Sequence, residues 1–147
     1  MQQLPNDFKE FLQLLNSHKV EYLLIGGYAV GYYGYPRVTG DIDIWIAINS
    51  NNAEKISLAI KNFGFTVETD IAQNFLQENK IVRMGNPPMR IEILTTISGV
   101  SFEECYQLKN IVEIDGIKVS IISLKHLIEN KKASGRHKDL NDIENLL

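Results

Sequence analysis

Asp41-Ile42-Asp43-Ile44-Trp45-Ile46-Ala47-Ile48 is the stretch that decides the fold. Side chains alternate between the two faces of a strand. Residues 41–48 therefore read as a strand with Ile42, Ile44, Ile46 and Ile48 turned to a core and Asp41, Asp43, Trp45 and Ala47 on the other side. A face made wholly of isoleucine fixes the register, because a slip by one residue would expose all of it. The two acids thus hold defined positions, roughly 6–7 Å apart along the backbone. Like charges at that spacing repel unless a proton or a cation lies between them. Mg²⁺, a hard ion that takes oxygen ligands and keeps several waters, suits such a pair.

Upstream, residues 22–25 read as a short buried strand that ends at Gly26-Gly27, and residues 28–33 as a short helix stopped by Gly34-Tyr35-Pro36. Glycines let backbone approach a ligand closely, and a helix N-terminus offers free N–H donors to an anion. Gly26 and Gly27 are accordingly candidates to hold phosphates, with Arg37 and Thr39 adding a cation and a hydroxyl just before the acids. Downstream, residues 89–94 alternate again, with Arg90, Glu92 and Leu94 on one face and Met89, Ile91 and Ile93 on the other. If this strand neighbours residues 41–48, three carboxylates line one surface. They could then hold two metal ions about 3.5–4 Å apart. Lys125, Lys131, Lys132, Arg136 and Lys138 crowd one stretch. The lysines around Lys131, Lys132 among them, are candidates for the triphosphate or a partner, or form a plain helix C-terminal charge cluster.

The remaining pattern fills in a single domain, residues 1–147. Phe8, Phe11, Leu12 and Leu15 give an apolar face to a helix at 6–17, with Asn6 as its cap. A second helix spans 53–63 and ends at Gly64. Weaker strands are expected near 65–68 and 80–84, then a turn at 85–88. Residues 111–114 and 117–122 flank Asp115-Gly116, a strong hairpin signal. Ser123 caps a helix to about residue 133, Gly135 ends it, and a last helix covers 138–147. The fold class is α/β (α+β): a small mixed sheet with helices packed against it and one carboxylate-bearing edge.

Bulk properties narrow the function. The chain of 147 residues carries 15 basic and 18 acidic residues, a formal charge of −3, and a pI near 5.6. A general duplex-DNA binder would show a basic excess. No segment resembles a signal peptide or a membrane span, and one cysteine, Cys105, excludes an internal disulfide. The expectation is a soluble, cytoplasmic protein. Other motifs fail on inspection. A dinucleotide fingerprint would need glycine at Tyr28, and a calcium loop from Asp41 would need glycine at Ile46 and glutamate at Asn52. His18, His126 and His137 show no zinc spacing, Cys105 has no activating motif, and Trp45 reads as packing, with stacking on a base as the alternative.

Ile25-Gly26-Gly27, then thirteen residues, then Asp41-Ile42-Asp43-Ile44 and later Ile91-Glu92-Ile93 resembles the signature of the polymerase-beta-like nucleotidyltransferases. The strings Gly-Gly-Tyr-Ala-Val (26–30) and Arg-Val-Thr-Gly-Asp-Ile-Asp-Ile (37–44), and the tail Arg136-His137-Lys138-Asp139 with Asp142, are similar to small bacterial members. These include the abortive-infection and toxin–antitoxin group and the antibiotic-modifying enzymes. The resemblance implies the nucleotidyltransferase fold and transfer of a nucleoside monophosphate from a nucleoside triphosphate to a hydroxyl, with release of pyrophosphate. It implies that Asp41 and Asp43 bind two Mg²⁺ ions, for which Mn²⁺ can substitute. Glu92 would bind the catalytic ion and promote deprotonation of the acceptor, and Gly26 and Gly27 would hold phosphates. The acceptor is a small molecule, an RNA or a protein, and its choice is expected to come from a protein partner or a homo-oligomer. The alternative is a non-catalytic or weakly active protein-binding component of a toxin–antitoxin-like pair.

Overall fold

A computed structural model of the chain describes residues 3–36, 40–65, 70–86 and 89–146. Along these the order is α1 (Asn6–Ser17), β1 (Tyr22–Ile25), α2 (Gly26–Tyr32), β2 (Asp41–Ile46), α3 (Ser50–Phe63), α4 (Ile71–Asn74) and β3 (Ile81–Asn86). It continues with β4 (Met89–Leu94), α5 (Phe102–Gln107), β5 (Asn110–Ile114), β6 (Ile117–Ile121), α6 (Leu124–Ser134) and α7 (His137–Leu146). The described strands form one mixed sheet in the order β3-β4-β2-β1-β6-β5, with β2 parallel to β4, β1 parallel to β6 and the other neighbours antiparallel. This is the mixed α/β architecture the sequence predicts, with one correction of place. The acids lie on two interior strands, not at an edge of the sheet.

Ile42, Ile44 and Ile46 have no exposed surface, and each contributes about 1.5–3 kcal/mol of burial. That burial locks β2 in register. They share the core with Phe8, Phe11, Leu12 and Leu15 of α1 and Ile56, Ala59 and Ile60 of α3, and Phe11 meets Phe63 edge-on at 5.4 Å. The opposite face of β2 is only half polar. Trp45 is buried there, edge-on to Phe102 at 5.1 Å, and its indole N–H donates to the Thr95 carbonyl. The strand ends at Ile46, so Ile48, expected in the core, is exposed.

Local chemistry explains most boundaries. The Ser123 and Asn49 side chains accept the backbone N–H three residues on and cap α6 and α3. The β5–β6 hairpin turns at Asp115 and Gly116, both at positive φ, as a two-residue turn of this hand requires. Asn6 is not a cap: Pro5 occupies that position and α1 has no capping side chain. The short helices α4 and α5 carry no apolar repeat long enough to announce them. Residues 66–69, which include most of the strand expected at 65–68, and Pro87 and Pro88 of the expected turn lie outside the described residues, as does Leu147. Among the described residues no helix is long and apolar enough to cross a membrane.

Candidate active site

The parallel pairing of β2 with β4 sets Asp43 opposite Glu92 and Asp41 opposite Arg90. Partners in register on neighbouring strands project to the same face. Arg83 of β3 stands opposite Glu92, and Ile25 of β1 opposite Asp43. One row across the sheet therefore reads Arg83, Glu92, Asp43, Ile25, with Gly26 directly after it. The third acid lies on the same face as the aspartates, beside Asp43.

Asp43 and Glu92 are close enough to share a proton in a hydrogen bond. Burial pushes the Asp43 carboxyl up, and the bond and charge of Glu92 and the charge of Asp41 add to it, so that it titrates at about 7. Lys138 pulls in the other direction. The outer oxygens of the cluster are taken by arginines. Arg90 donates Nε–H to Asp41 Oδ1 at 3.3 Å and Nη2–H to Oδ2 at 3.2 Å. Arg83 donates Nε–H to Glu92 Oε1 at 3.0 Å. Among the described residues, no three His, Cys, Asp or Glu side chains converge as a ready metal group.

Gly26 explains itself on this geometry. Its φ is +69°, in the left-handed region that favours glycine, and a Cβ there would collide with the Asp43 carboxylate. The strand exit and the acid are thus one construction: the missing side chain is the space that Asp43 occupies.

A cavity of about 650 Å³ opens over the row, within the usual range for small-molecule sites. Gly26, Gly27, Asp41, Asp43 and Glu92 line one side, and Lys131, Ser134, Arg136 and Lys138 from the α6–α7 junction line another. Lys132 is exposed and does not line it, because the helical turn points it away while its neighbour Lys131 turns inward. Lys131 is buried and bridges Asp139 at 3.1 Å and Asp142 at 3.0 Å. Arg136 Nε reaches Asp139 at 2.7 Å, and the Ser134 hydroxyl donates to it at 2.6 Å. Burial alone would raise the Asp139 carboxyl, but Arg136, Ser134 and Lys131 hold it well below the usual carboxylate range.

The structure thus brings Gly26, Gly27, Asp41, Asp43 and Glu92 to one cavity and leaves Lys132 outside. Arg37 and Thr39 lie outside the described residues. Lys131, Arg136 and Lys138 of the basic stretch line the cavity, and Arg83, which no local pattern marks, joins them. The alternation of residues 89–94 already put Arg90 on the side of Glu92. The contact of Arg83 with Glu92 needed the antiparallel register of β3, which no local pattern supplies. Cys105 is fully buried, and burial raises its thiol to about 11, which leaves it unreactive.

Residues 5–147 match the model of a family described as "Nucleotidyl transferase of unknown function (DUF2204)". No curated protein matches the chain by sequence. Among solved structures, a protein of Thermotoga maritima described as a nucleotidyltransferase is 17% identical, over 93% of this chain and 88% of that one, with a TM-score of 0.64. A lincosamide antibiotic adenylyltransferase, solved with lincomycin bound, is 17% identical over 97% and 96% of the two chains, with a TM-score of 0.63. An antigenic nucleotidyltransferase-like protein of Paracoccidioides brasiliensis is 20% identical over 95% and 73%, with a TM-score of 0.59. At these identities the likeness is one of fold.

Proposed function

The chain belongs to this family of nucleotidyl transferases, and on that premise we propose that it moves a nucleoside monophosphate from a nucleoside triphosphate to a hydroxyl acceptor in a Mg²⁺-dependent reaction that releases pyrophosphate. The observation that carries the proposal is the register of β2 against β4, which sets Asp43 beside Glu92 and next to the space left by Gly26, in a cavity walled by cations.

The donor set fits a divalent cation. Burial and the neighbouring acids push the Asp43 carboxyl up beside its hydrogen bond with Glu92, and a hard cation on the carboxylate oxygens would relieve that crowding. Asp41, Asp43 and Glu92 would hold two such ions, Mg²⁺ or Mn²⁺. The chemistry such ions would supply is activation of the attacking hydroxyl and neutralisation of the triphosphate and departing pyrophosphate. The chain's own residues do the rest. Gly26 and Gly27 present backbone N–H groups to the phosphates. Arg136 and Lys138 face the cavity and balance the triphosphate charge. Arg37 and Thr39, next to β2 in sequence, are a further cation and hydroxyl for the nucleotide. The acceptor oxygen bonds to the α-phosphorus as the bond from that phosphorus to the bridging oxygen breaks. Glu92 would draw off the hydroxyl proton. Catalysis of this kind is mostly positioning and electrostatics.

The test is label transfer. Incubation with each α-³²P-labelled nucleoside triphosphate and a cell lysate is expected to label one class of acceptor in a Mg²⁺-dependent way. An Asp41→Ala/Asp43→Ala protein that labels the same acceptor equally well would remove the mechanism.

A further inference from the structure

We propose that Arg90 is a built-in counter-cation of the carboxylate site, holding Asp41 in the metal-free protein and giving it up when a divalent cation enters, so that Arg90 sets how tightly the site takes its metal. This rests on the assignment of Asp41, Asp43 and Glu92 as the metal-holding acids.

The geometry is specific to an arginine. The β2–β4 register puts Arg90 directly opposite Asp41. Its guanidinium fork occupies both Asp41 oxygens, at 3.3 and 3.2 Å, and Nη2 lies 3.8 Å from Glu92 Oε1. A planar fork matches a carboxylate in two parallel bonds, which a lysine ammonium cannot do. Arg83 and Arg90 thus stand against the acids, with Lys138 a further cation acting on Asp43.

Arg83 is the weaker half of the arrangement. It sits on the edge strand, more than half exposed, with one bond to Glu92, and exposed pairs of that kind constrain little. The Arg90 side chain is about two-thirds covered and holds two bonds. A divalent cation held by Asp41 would take the same oxygens that Arg90 holds, so the two would compete. Coupling of that sort is reciprocal: whatever Arg90 costs the metal, the metal costs the Arg90–Asp41 contact.

Mn²⁺ titration followed by electron paramagnetic resonance, together with arginine Nε–H spectra of ¹⁵N-labelled protein, tests this in the full chain. Arg90→Gln is expected to bind Mn²⁺ roughly tenfold tighter than the parent. Arg90→Lys, which keeps the charge and loses the fork, is expected to gain less in the same direction, and it carries the test if Arg90→Gln does not fold. In the parent, the Arg90 Nε–H signal, assigned by its loss in the variants, should move toward that of a free guanidinium when Mg²⁺ is added. A parent that takes up Mn²⁺ while folded variants bind it equally or more weakly, or an Arg90 signal that Mg²⁺ leaves in place, would overturn the role of Arg90 alone. A parent that takes up no Mn²⁺ would overturn the metal assignment and this inference with it.

Discussion

Asp139, at the start of α7, and Asp43, in β2, are two largely buried aspartates near one cavity, and the chain treats them in opposite ways. Asp139 has Lys131, Arg136 and Ser134 around it, and these donors hold its carboxyl well below the usual range. Asp43 has Glu92 and Asp41 as its charged neighbours on the sheet, and burial and those acids push it to about 7. The first is a carboxylate completed by its own fold, and it ties α6 to α7 across the Gly135 break. The second sits among acids with Lys138 pulling the other way, and a proton or a cation on it would relieve the crowding. Perturbation of that second kind, in a cavity, marks functional sites.

The largest expected effect separates the two. Lys131→Met leaves Asp139 and Asp142 without their buried cation and is expected to cost about 3–5 kcal/mol in urea denaturation. A loss below about 1 kcal/mol would erase the contrast. Gly26→Ala puts a side chain at a φ of +69° into the place of the Asp43 carboxylate. It is expected to cost about 2 kcal/mol and to blunt the nucleotide response. An unchanged stability and response would show that the carboxylate is not tied to that spot.

Asp43→Asn should go the other way and stabilise the metal-free protein at pH 8, on the order of 2 kcal/mol. The sign follows from the shift. The folded state holds a proton on Asp43 that the unfolded chain has released between about pH 4 and about 7, so stability falls as pH rises through that window. The gain from Asp43→Asn should therefore shrink toward zero at pH 4. Asp139 acts in a separate window: its contribution is present above pH 4 and is lost as pH falls toward its depressed folded value. A flat difference between parent and Asp43→Asn from pH 4 to pH 8 would contradict the crowding of Asp43. Lys132→Ala, on an exposed side chain outside the cavity, should change stability by no more than about 0.5 kcal/mol and leave nucleotide response intact.

The readable part of this molecule was the part written in short-range patterns. The alternation of residues 41–48 and 89–94 gave the faces of β2 and β4, and Asp115-Gly116 and Ser123 gave the hairpin and the cap of α6. Cross-strand register was not readable, because pairing depends on which strands meet. Arg83 with Glu92 and Lys131 with Asp139 are contacts of that tertiary kind. Lys132 and Lys131 look alike as letters. Only the packing of α6 against α7 decides which of them turns inward. Ile48 kept the alternation after the sheet had ended, since a periodic run does not say where pairing stops.

Thermal unfolding of the parent and Asp43→Asn, each with and without Mg²⁺ and a nucleoside triphosphate, tests the central claim most directly. The parent is expected to gain in Tm with metal and to gain most with metal and nucleotide together, and Asp43→Asn to start higher and gain nothing from either. Equal gains in both proteins, or a parent indifferent to every nucleotide while Asp43→Asn is merely more stable, would mean that the acids of β2 and β4 are only a charged strand face.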